Sequence, residues 1–330
     1  MAEITDIPFR RICREYGASL VFTQMISVKE YVNNSFETLQ KTFFEEEERP
    51  ISIQLLGKDE EMFEKCVLEL NSLNPDSINI NLGCPSKNVL KYGLGGELLK
   101  DKKKIFNIIK KIKKNVDPGI LISAKIRLGL SHSNFLAGDI AEVCQEAGLD
   151  FLILHFRFVN ENYSVPARWE FIDEIRKKTS LPIVGNGSIF SAEDALKIFK
   201  IYDVDALMIA RGAIGNPLIF YEIQKLLEVE KISEEELNFE KFNQIIRHLN
   251  FSKMFYGDYQ GAINFRKHFL WYFKYHPNFE EIKKYTYEII RCDDFENLAE
   301  RYKQGLLNIN SKIKTEIDKK FMERILFWLK

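Results

Sequence analysis

The sequence predicts an α/β chain, a (β/α)8 TIM barrel followed by an all-helical domain, and three observations carry that expectation. Short apolar runs alternate with amphipathic helical segments from Ser19 to Ile209, the alternation stops near Asn238, and nearly every run ends in polar residues or glycine. Strands that are apolar on both faces belong to a parallel sheet covered by helices, a pattern shared by an open doubly wound sheet and a closed barrel. The polar strand ends favour the barrel, because its strand ends converge on one mouth where active sites lie.

Seven runs read as strands: Ser19 to Thr23, Ile51 to Leu55, Ser77 to Asn81, Leu121 to Arg127, Phe151 to His155, Leu181 to Gly185 and Asp205 to Ile209. Between them, Lys104 to Lys114 puts Ile105, Ile108, Ile109 and Ile112 on one helical stripe with lysines elsewhere. Ser191 with Asp194 opens another helix as a capping box, and Glu45 to Glu48 reads as a solvated loop. Residues 1–237 form the expected catalytic barrel and 238–330 the helical domain, with Gly257 and Gly261 as punctuation. Lys241, Arg247, Lys253, Arg266, Lys267 and Lys274 face only Asp258 in the segment up to Tyr275, interleaved with Phe251, Tyr256, Tyr259, Phe265, Trp271 and Tyr272. Basic plus aromatic suits RNA; a bundle core with a solvated basic face has the same composition.

At 330 residues and 45% hydrophobic, the chain has material for one large core and a smaller second one. A net charge of -1 excludes a globally polycationic nucleic-acid binder, so any RNA contact is a local patch. Cys13, Cys66, Cys84, Cys144 and Cys292 show no C-x-x-C spacing, which argues against a zinc cage or a disulfide scaffold. With neither a secretory leader nor a bilayer-length apolar run, a reducing, cytoplasmic setting is expected, and no membrane partner. No histidine or carboxylate set has metal-ligand spacing, so no metal is expected.

The strand ends supply the candidate chemistry. In Asn81-Leu82-Gly83-Cys84-Pro85-Ser86 the glycine permits a tight turn and the proline stops the strand, presenting the thiol at the mouth. A lone cysteine also reads as a small buried hydrophobe. The glycines of Tyr92-Gly93-Leu94-Gly95-Gly96 suggest a mobile loop able to close over substrate. Lys125 and Arg127 share a strand face, and two cations inside a barrel call for an anionic partner. Lys125 therefore reads as pointing at an electron-rich cofactor, against the alternative of a solvated strand end. Asn186-Gly187-Ser188 and Ala210-Arg211-Gly212 each precede a helix, and free backbone N–H groups with an arginine make a phosphate cradle. His155, in the company of Lys125 and Arg211, reads as ligand-facing, although isolated histidines are more commonly core residues.

Taken together, Ile4-Thr5-Asp6-Ile7-Pro8-Phe9-Arg10, Asn81-x-Gly-Cys-Pro, Lys125-x-Arg, His155-x-Arg157, Asn186-Gly187 and Arg211-Gly212-Ala213-x-Gly-Asn-Pro217 resemble the tRNA-dihydrouridine synthase family in order and spacing, as does Arg266-Lys267-His268 before Trp271-Tyr272 in the helical part. The resemblance implies an FMN enzyme that reduces the C5–C6 bond of particular uridines in tRNA, with NADPH or NADH as electron source. It implies flavin contacts at Gln54, Lys125, His155, Asn186, Gly187, Ser188, Ala210 and Arg211, uracil or substrate contacts at Asn81 and Arg157, and Cys84 as proton donor. A monomer whose helical domain holds tRNA is expected. The competing expectations are a barrel flavoprotein acting on a free pyrimidine or quinone, and a tRNA-binding homologue without catalysis.

Two departures from the family accompany the resemblance. The family's first strand precedes a Pro-Met-Ala motif, whereas here the chain starts at Met1-Ala2. A chain lacking its native N-terminus and its first barrel strand is therefore expected, with Ser19–Thr23 and Asp205–Ile209 neighbours across an unfilled gap. The stretch after Leu306, ending Ile325-Leu326-Phe327-Trp328-Leu329-Lys330, is also long for the family.

Overall fold

The computed structural model describes residues 1, 3–230 and 232–303; the stretch after Leu306 lies outside the described residues. Seven parallel strands form the main sheet: β1 (Val21–Ser27), β2 (Ile51–Leu56), β3 (Ser77–Leu82), β4 (Leu121–Arg127), β7 (Phe151–His155), β8 (Ile183–Asn186) and β9 (Ala206–Met208). They pair in that order, and β5 (Gly129–Ser131) with β6 (Asn134–Phe135) make a small separate hairpin that the sequence reading lacked. Each predicted strand is present, with ends displaced by up to a few residues, most at β1. The sheet curls, because its two edges line one cavity of about 740 Å³: Val21 and Phe22 from β1, and Ala206 to Met208 from β9, with Met1, Phe9 and Cys13 between them. Among the described residues β1 and β9 share no hydrogen-bond ladder, so the barrel is open at that seam, as expected.

Helices cover the outer face. Lys102–Asn115 buries Ile105, Ile108, Ile109 and Ile112 and exposes its lysines, as its periodicity predicts. Ser191 Oγ accepts from Asp194 N–H while Asp194 accepts from Ser191 N–H, completing the capping box. The expectation of a solvated loop at Glu45–Glu48 is wrong for Glu48. Its carboxylate is fully buried and lies 2.5 Å from Arg10 Nε, and Arg10 also donates to the carbonyls of Thr5 and Phe43. A buried guanidinium needs such partners, and Glu48 supplies the charge, which a run of acidic residues gave no reason to expect.

The helical region starts at Glu234 and runs to Tyr272, broken at Gly257, whose φ of 77° and ψ of 172° are not helical. The two arms then fold back closely: a Cβ at Gly261 would sit 2.7 Å from the Ser252 carbonyl oxygen. Phe242, Ile245, Leu249, Phe265, Phe269 and Phe295 form part of this region's own core. The region meets the barrel through the first helix, Ile7–Glu15, and through Gly215, where a Cβ would lie 2.5 Å from the Trp271 backbone.

Candidate active site

Strand register builds the site. Gln54 pairs with Asn79, Asn79 with Ser123, Asn81 with Lys125, Arg127 with His155 and His155 with Asn186. Because side chains alternate across a strand, these positions point one way, into the curl of the sheet. Gln54 Nε2 donates to Asn79 Oδ1 (2.8 Å), Asn79 Nδ2 to Ser123 Oγ (2.9 Å) and Asn81 Nδ2 to Gln54 Oε1 (3.0 Å). This amide relay satisfies buried polar groups that would otherwise each cost about 1–3 kcal/mol.

Asn81 also organises the loop after β3. Its Oδ1 accepts from the N–H groups of Gly83 (3.2 Å) and Cys84 (3.0 Å), fixing the half-buried thiol beyond the strand end. Gly96 N–H donates to the Cys84 carbonyl, and a Cβ at Gly95 would meet Cys84 Cβ at 2.9 Å. The glycines expected to form a mobile loop are thus, at Gly95 and Gly96, buried packing against the cysteine segment, continued by a 3-10 turn that buries Leu98 and Leu99. Only Tyr92 and Gly93 remain at the surface side, where the Tyr92 carbonyl accepts from Lys58.

Four cations crowd the opposite side of the mouth. Lys125 Nζ donates to Asn186 Oδ1 (3.0 Å), and burial, reinforced by Arg127, brings its pKa down to about 7. Arg127 is buried and one of its terminal nitrogens donates to the carbonyls of Phe158 and Glu161, which holds the following loop in place, while its Nε has no hydrogen-bond partner. Arg157 has a partner at each nitrogen: Nε on the Val165 carbonyl, one NH2 group on Ser188 Oγ (2.7 Å), the other against His155 Nε2 (2.9 Å). Burial and the cations around it keep His155 well below its ordinary pKa, so it is neutral and accepts from Arg157. Arg211 lies 4.5 Å over the Tyr163 ring and 5.2 Å over Phe190. The nearest carboxylate, Glu161, is taken up by Arg168 and the Phe158 N–H. An arrangement this rich in cations is built to receive an anion.

The turn after β8 is conformationally special. Gly187 has φ 131°, and a Cβ there would approach Ala167 Cβ at 2.8 Å and His155 at 3.2 Å, while Ser188 itself adopts φ 53°. The structure therefore brings Gln54, Asn81, Cys84, Lys125, His155, Arg157, Asn186, Gly187 and Ser188 to one mouth. Arg211, which follows β9, reaches the same mouth over Tyr163, whereas Ala210 helps to line the seam cavity. Sequence reasoning missed Asn79, Ser123 and Tyr163. The first two keep the period of two that links them to Asn81 and Lys125, so the signal was present; Tyr163 sits in an irregular loop and gave none.

Residues 1–307 match the family described as Dihydrouridine synthase (Dus). The chain belongs to that family, which is one of oxidoreductases. It is 32% identical over 305 residues to "tRNA-dihydrouridine synthase B" of Pasteurella multocida, covering 90% of this chain and 91% of the relative. It is 31% identical over 306 residues to "Probable tRNA-dihydrouridine synthase" of Aquifex aeolicus, covering 92% and 94%. Among solved structures, 6-hydroxypseudooxynicotine amine oxidase from Pseudomonas geniculata is similar in fold alone, with TM-score 0.53 at 12% identity over 69% of this chain and 45% of that one. For a dihydrouridine synthase, the motifs singled out in sequence now have places: Asp6 and Arg10 anchor the first helix, Arg211 to Pro217 docks the barrel on the helical region, and Asn81 to Cys84 shapes the mouth.

Proposed function

We propose that this chain reduces the C5–C6 bond of specific uridines in tRNA to dihydrouridine, using FMN with NADPH or NADH, as a cytoplasmic monomer. The observation that carries this reading is the meeting, at one barrel mouth, of a thiol loop held by Asn81 and a cation set without a free carboxylate. The residues suit FMN, since among the described residues the Arg211 guanidinium lies over Tyr163 and Phe190 without an ion-paired carboxylate, and the positive φ of Gly187 and Ser188 sets the turn after β8 in a conformation special to its backbone. Arg211, Ala210 and the Asn186–Gly187–Ser188 turn would hold its phosphate, and Gln54, Lys125 and His155 its ring. When bound, FMN supplies the hydride that adds to C6 of the uracil.

Around that step the chain's own residues act. Cys84 gives its proton to C5 from the opposite face, a contribution of about 10²- to 10⁴-fold in rate. Asn81 holds the thiol loop and contacts the uracil by exchanging its bond to Gln54. Lys125, charged once an anion is near, stabilises negative charge at the cofactor. Arg157 orients His155 and Ser188 beside the substrate. In this reading 1–237 is the catalytic unit and 238–330 binds tRNA, the base being drawn out of its stack to reach the mouth. Trp271, Lys274 and Tyr275 offer that contact, with Lys274 Nζ 4.3 Å over Trp271 and all three at the surface. The other basic residues of the segment are largely paired: Lys253 with Asp293, Arg247 with Glu15, Arg266 with the Ile289 carbonyl.

The test is incubation of the purified chain with FMN, NADPH and unmodified tRNA, followed by mapping of dihydrouridine. Wild type yields product at defined positions, and Cys84→Ala still binds FMN and accepts electrons but yields little. Full product from Cys84→Ala removes the thiol from the mechanism, and failure to bind any flavin defeats the reading as a whole.

A further inference from the structure

Away from the mouth, three buried side chains meet where the barrel joins the helical region. Asp6, the N-cap of the first helix, faces His248 and His268, which come from the two arms either side of Gly257. One ligand atom from each lies within 4.8 Å of the others. His248 is fully buried, with Nδ1 3.0 Å from the Tyr272 hydroxyl and Nε2 without any hydrogen-bond partner. His268 is 2% exposed, and neither of its ring nitrogens has a hydrogen-bond partner, Nε2 lying 3.6 Å from Asp6 Oδ1. Phe9 stacks on His268 at 5.2 Å and Phe265 meets the His248 ring at 5.1 Å, so water has poor access to replace the missing partners.

Orphaned polar atoms in such a place cost about 1–3 kcal/mol each, and one from each histidine lies beside the Asp6 carboxylate, so the two ask for a shared partner. A proton on His268 would provide a pair with Asp6 but would leave His248 Nε2 unsatisfied. A cation accepting one lone pair from each side chain partners both histidines and Asp6 at once, with His268 Nδ1 left outside the set. The geometry points to a divalent transition-metal site, Zn²⁺ by its two-nitrogen, one-oxygen ligand set, made of Asp6, His248 and His268. Tetrahedral bonds of 2.0–2.1 Å place ligand atoms about 3.4 Å apart, a contraction that side-chain rotation can supply. Tyr272 occupies His248 Nδ1 and leaves Nε2 as the ligating atom, the outer-shell role that orients metal-binding histidines. The metal would tie both helical arms to the start of the barrel. The sequence reading expected no metal because the histidines stand far apart in the chain and share no motif; only the break at Gly257 brings them together.

The test uses the full-length chain, stripped with chelator and titrated with Zn²⁺ or Co²⁺, with metal per chain measured by mass spectrometry and the cobalt visible spectrum recorded. One metal per chain, a tetrahedral cobalt spectrum without a thiolate band and a raised melting temperature are expected. Asp6→Asn keeps the helix cap to the Phe9 N–H and should weaken binding at least about tenfold. His268→Gln should do the same. Absence of uptake by folded wild type at micromolar metal overturns the site, as does undiminished binding in both variants, or a thiolate band that assigns the ion to a cysteine.

Discussion

Replacing Asn81 with alanine removes four hydrogen bonds at once: the two that Oδ1 accepts from the Gly83 and Cys84 N–H groups, the one that Nδ2 donates to Gln54, and a weaker one from Nδ2 to Met25 Sδ. At about 0.5–1.5 kcal/mol net each, the expected loss of stability is about 2–4 kcal/mol. For a chain of this size that corresponds to a fall in melting temperature of roughly 3 to 6 °C. The functional loss should be larger than the stability loss suggests, because the loop that carries Cys84 loses the side-chain oxygen that accepts from its Gly83 and Cys84 N–H groups, and a displacement near 1 Å costs about 100-fold in a positioned reaction. Thermal unfolding of the flavin-free protein and single-turnover product formation on tRNA are the two measurements. Asn81→Asp keeps an oxygen that accepts from both loop N–H groups and should recover most of the melting temperature. If it recovers turnover as well, the whole contribution of Asn81 lies in the loop. A melting temperature and turnover for Asn81→Ala within error of wild type would refute the argument, since the loop would then be held by something else.

Arg211→Ala should weaken FMN retention by roughly 10- to 100-fold, the worth of a charge-assisted contact, with unfolding of the flavin-free protein changed by less than about 1 kcal/mol; undiminished flavin per chain would place the phosphate elsewhere. Lys125 gives a pH signature: burial lowers its folded pKa to about 7, against about 10.4 unfolded, so between those values the folded state binds fewer protons and ligand-free stability rises with pH. An anion bound beside it draws a proton back, so FMN affinity should fall by up to about tenfold per pH unit above pH 7, and a slope unchanged in Lys125→Met would refute the assignment. Gly215→Ala should cost at least about 2 kcal/mol, because φ 71° is strained for alanine and its Cβ would strike the Trp271 backbone at 2.5 Å; Gly257→Ala, with φ 77° but open space, should cost only about 1 kcal/mol, and equal melting-temperature shifts would discount the backbone contact.

Much of this molecule was legible in its sequence because its strands are apolar on both faces and its mouth residues interrupt that pattern. Leu121 to Arg127 and Phe151 to His155 were readable to the residue, since Lys125 with Arg127 and His155 with Arg157 break apolar runs abruptly. β1 was started two residues early and ended four early, because the strand continues past Thr23 through the polar Gln24 to Ser27, polar positions that a parallel strand tolerates where Thr23 Oγ1 accepts from the Gln54 N–H. The buried Glu48 and the Asp6–His248–His268 cluster were not legible, because each depends on partners that only the tertiary fold brings close. The glycine loop was misread for a related reason: a glycine that permits motion and a glycine that permits close packing look alike until its neighbour, here Cys84, is known.

The polar layer also explains why an open seam leaves the mouth ordered. Gln54, Asn79, Asn81 and Ser123 are linked across β2, β3 and β4, and Lys125 reaches over to Asn186, which in turn donates to the Met208 carbonyl on β9. Those bonds run from β2 through β9 without passing through the seam between β1 and β9. The cysteine loop, the cation set and the Gly187 turn all attach to this continuous arc, so their relative positions are set by strand register. A slip by one residue at any pair would turn these side chains to the opposite face. Alternation that buries both faces in hydrocarbon elsewhere gives each strand the energetic reason to keep its register, and the amides then hold the chemistry of the mouth in place.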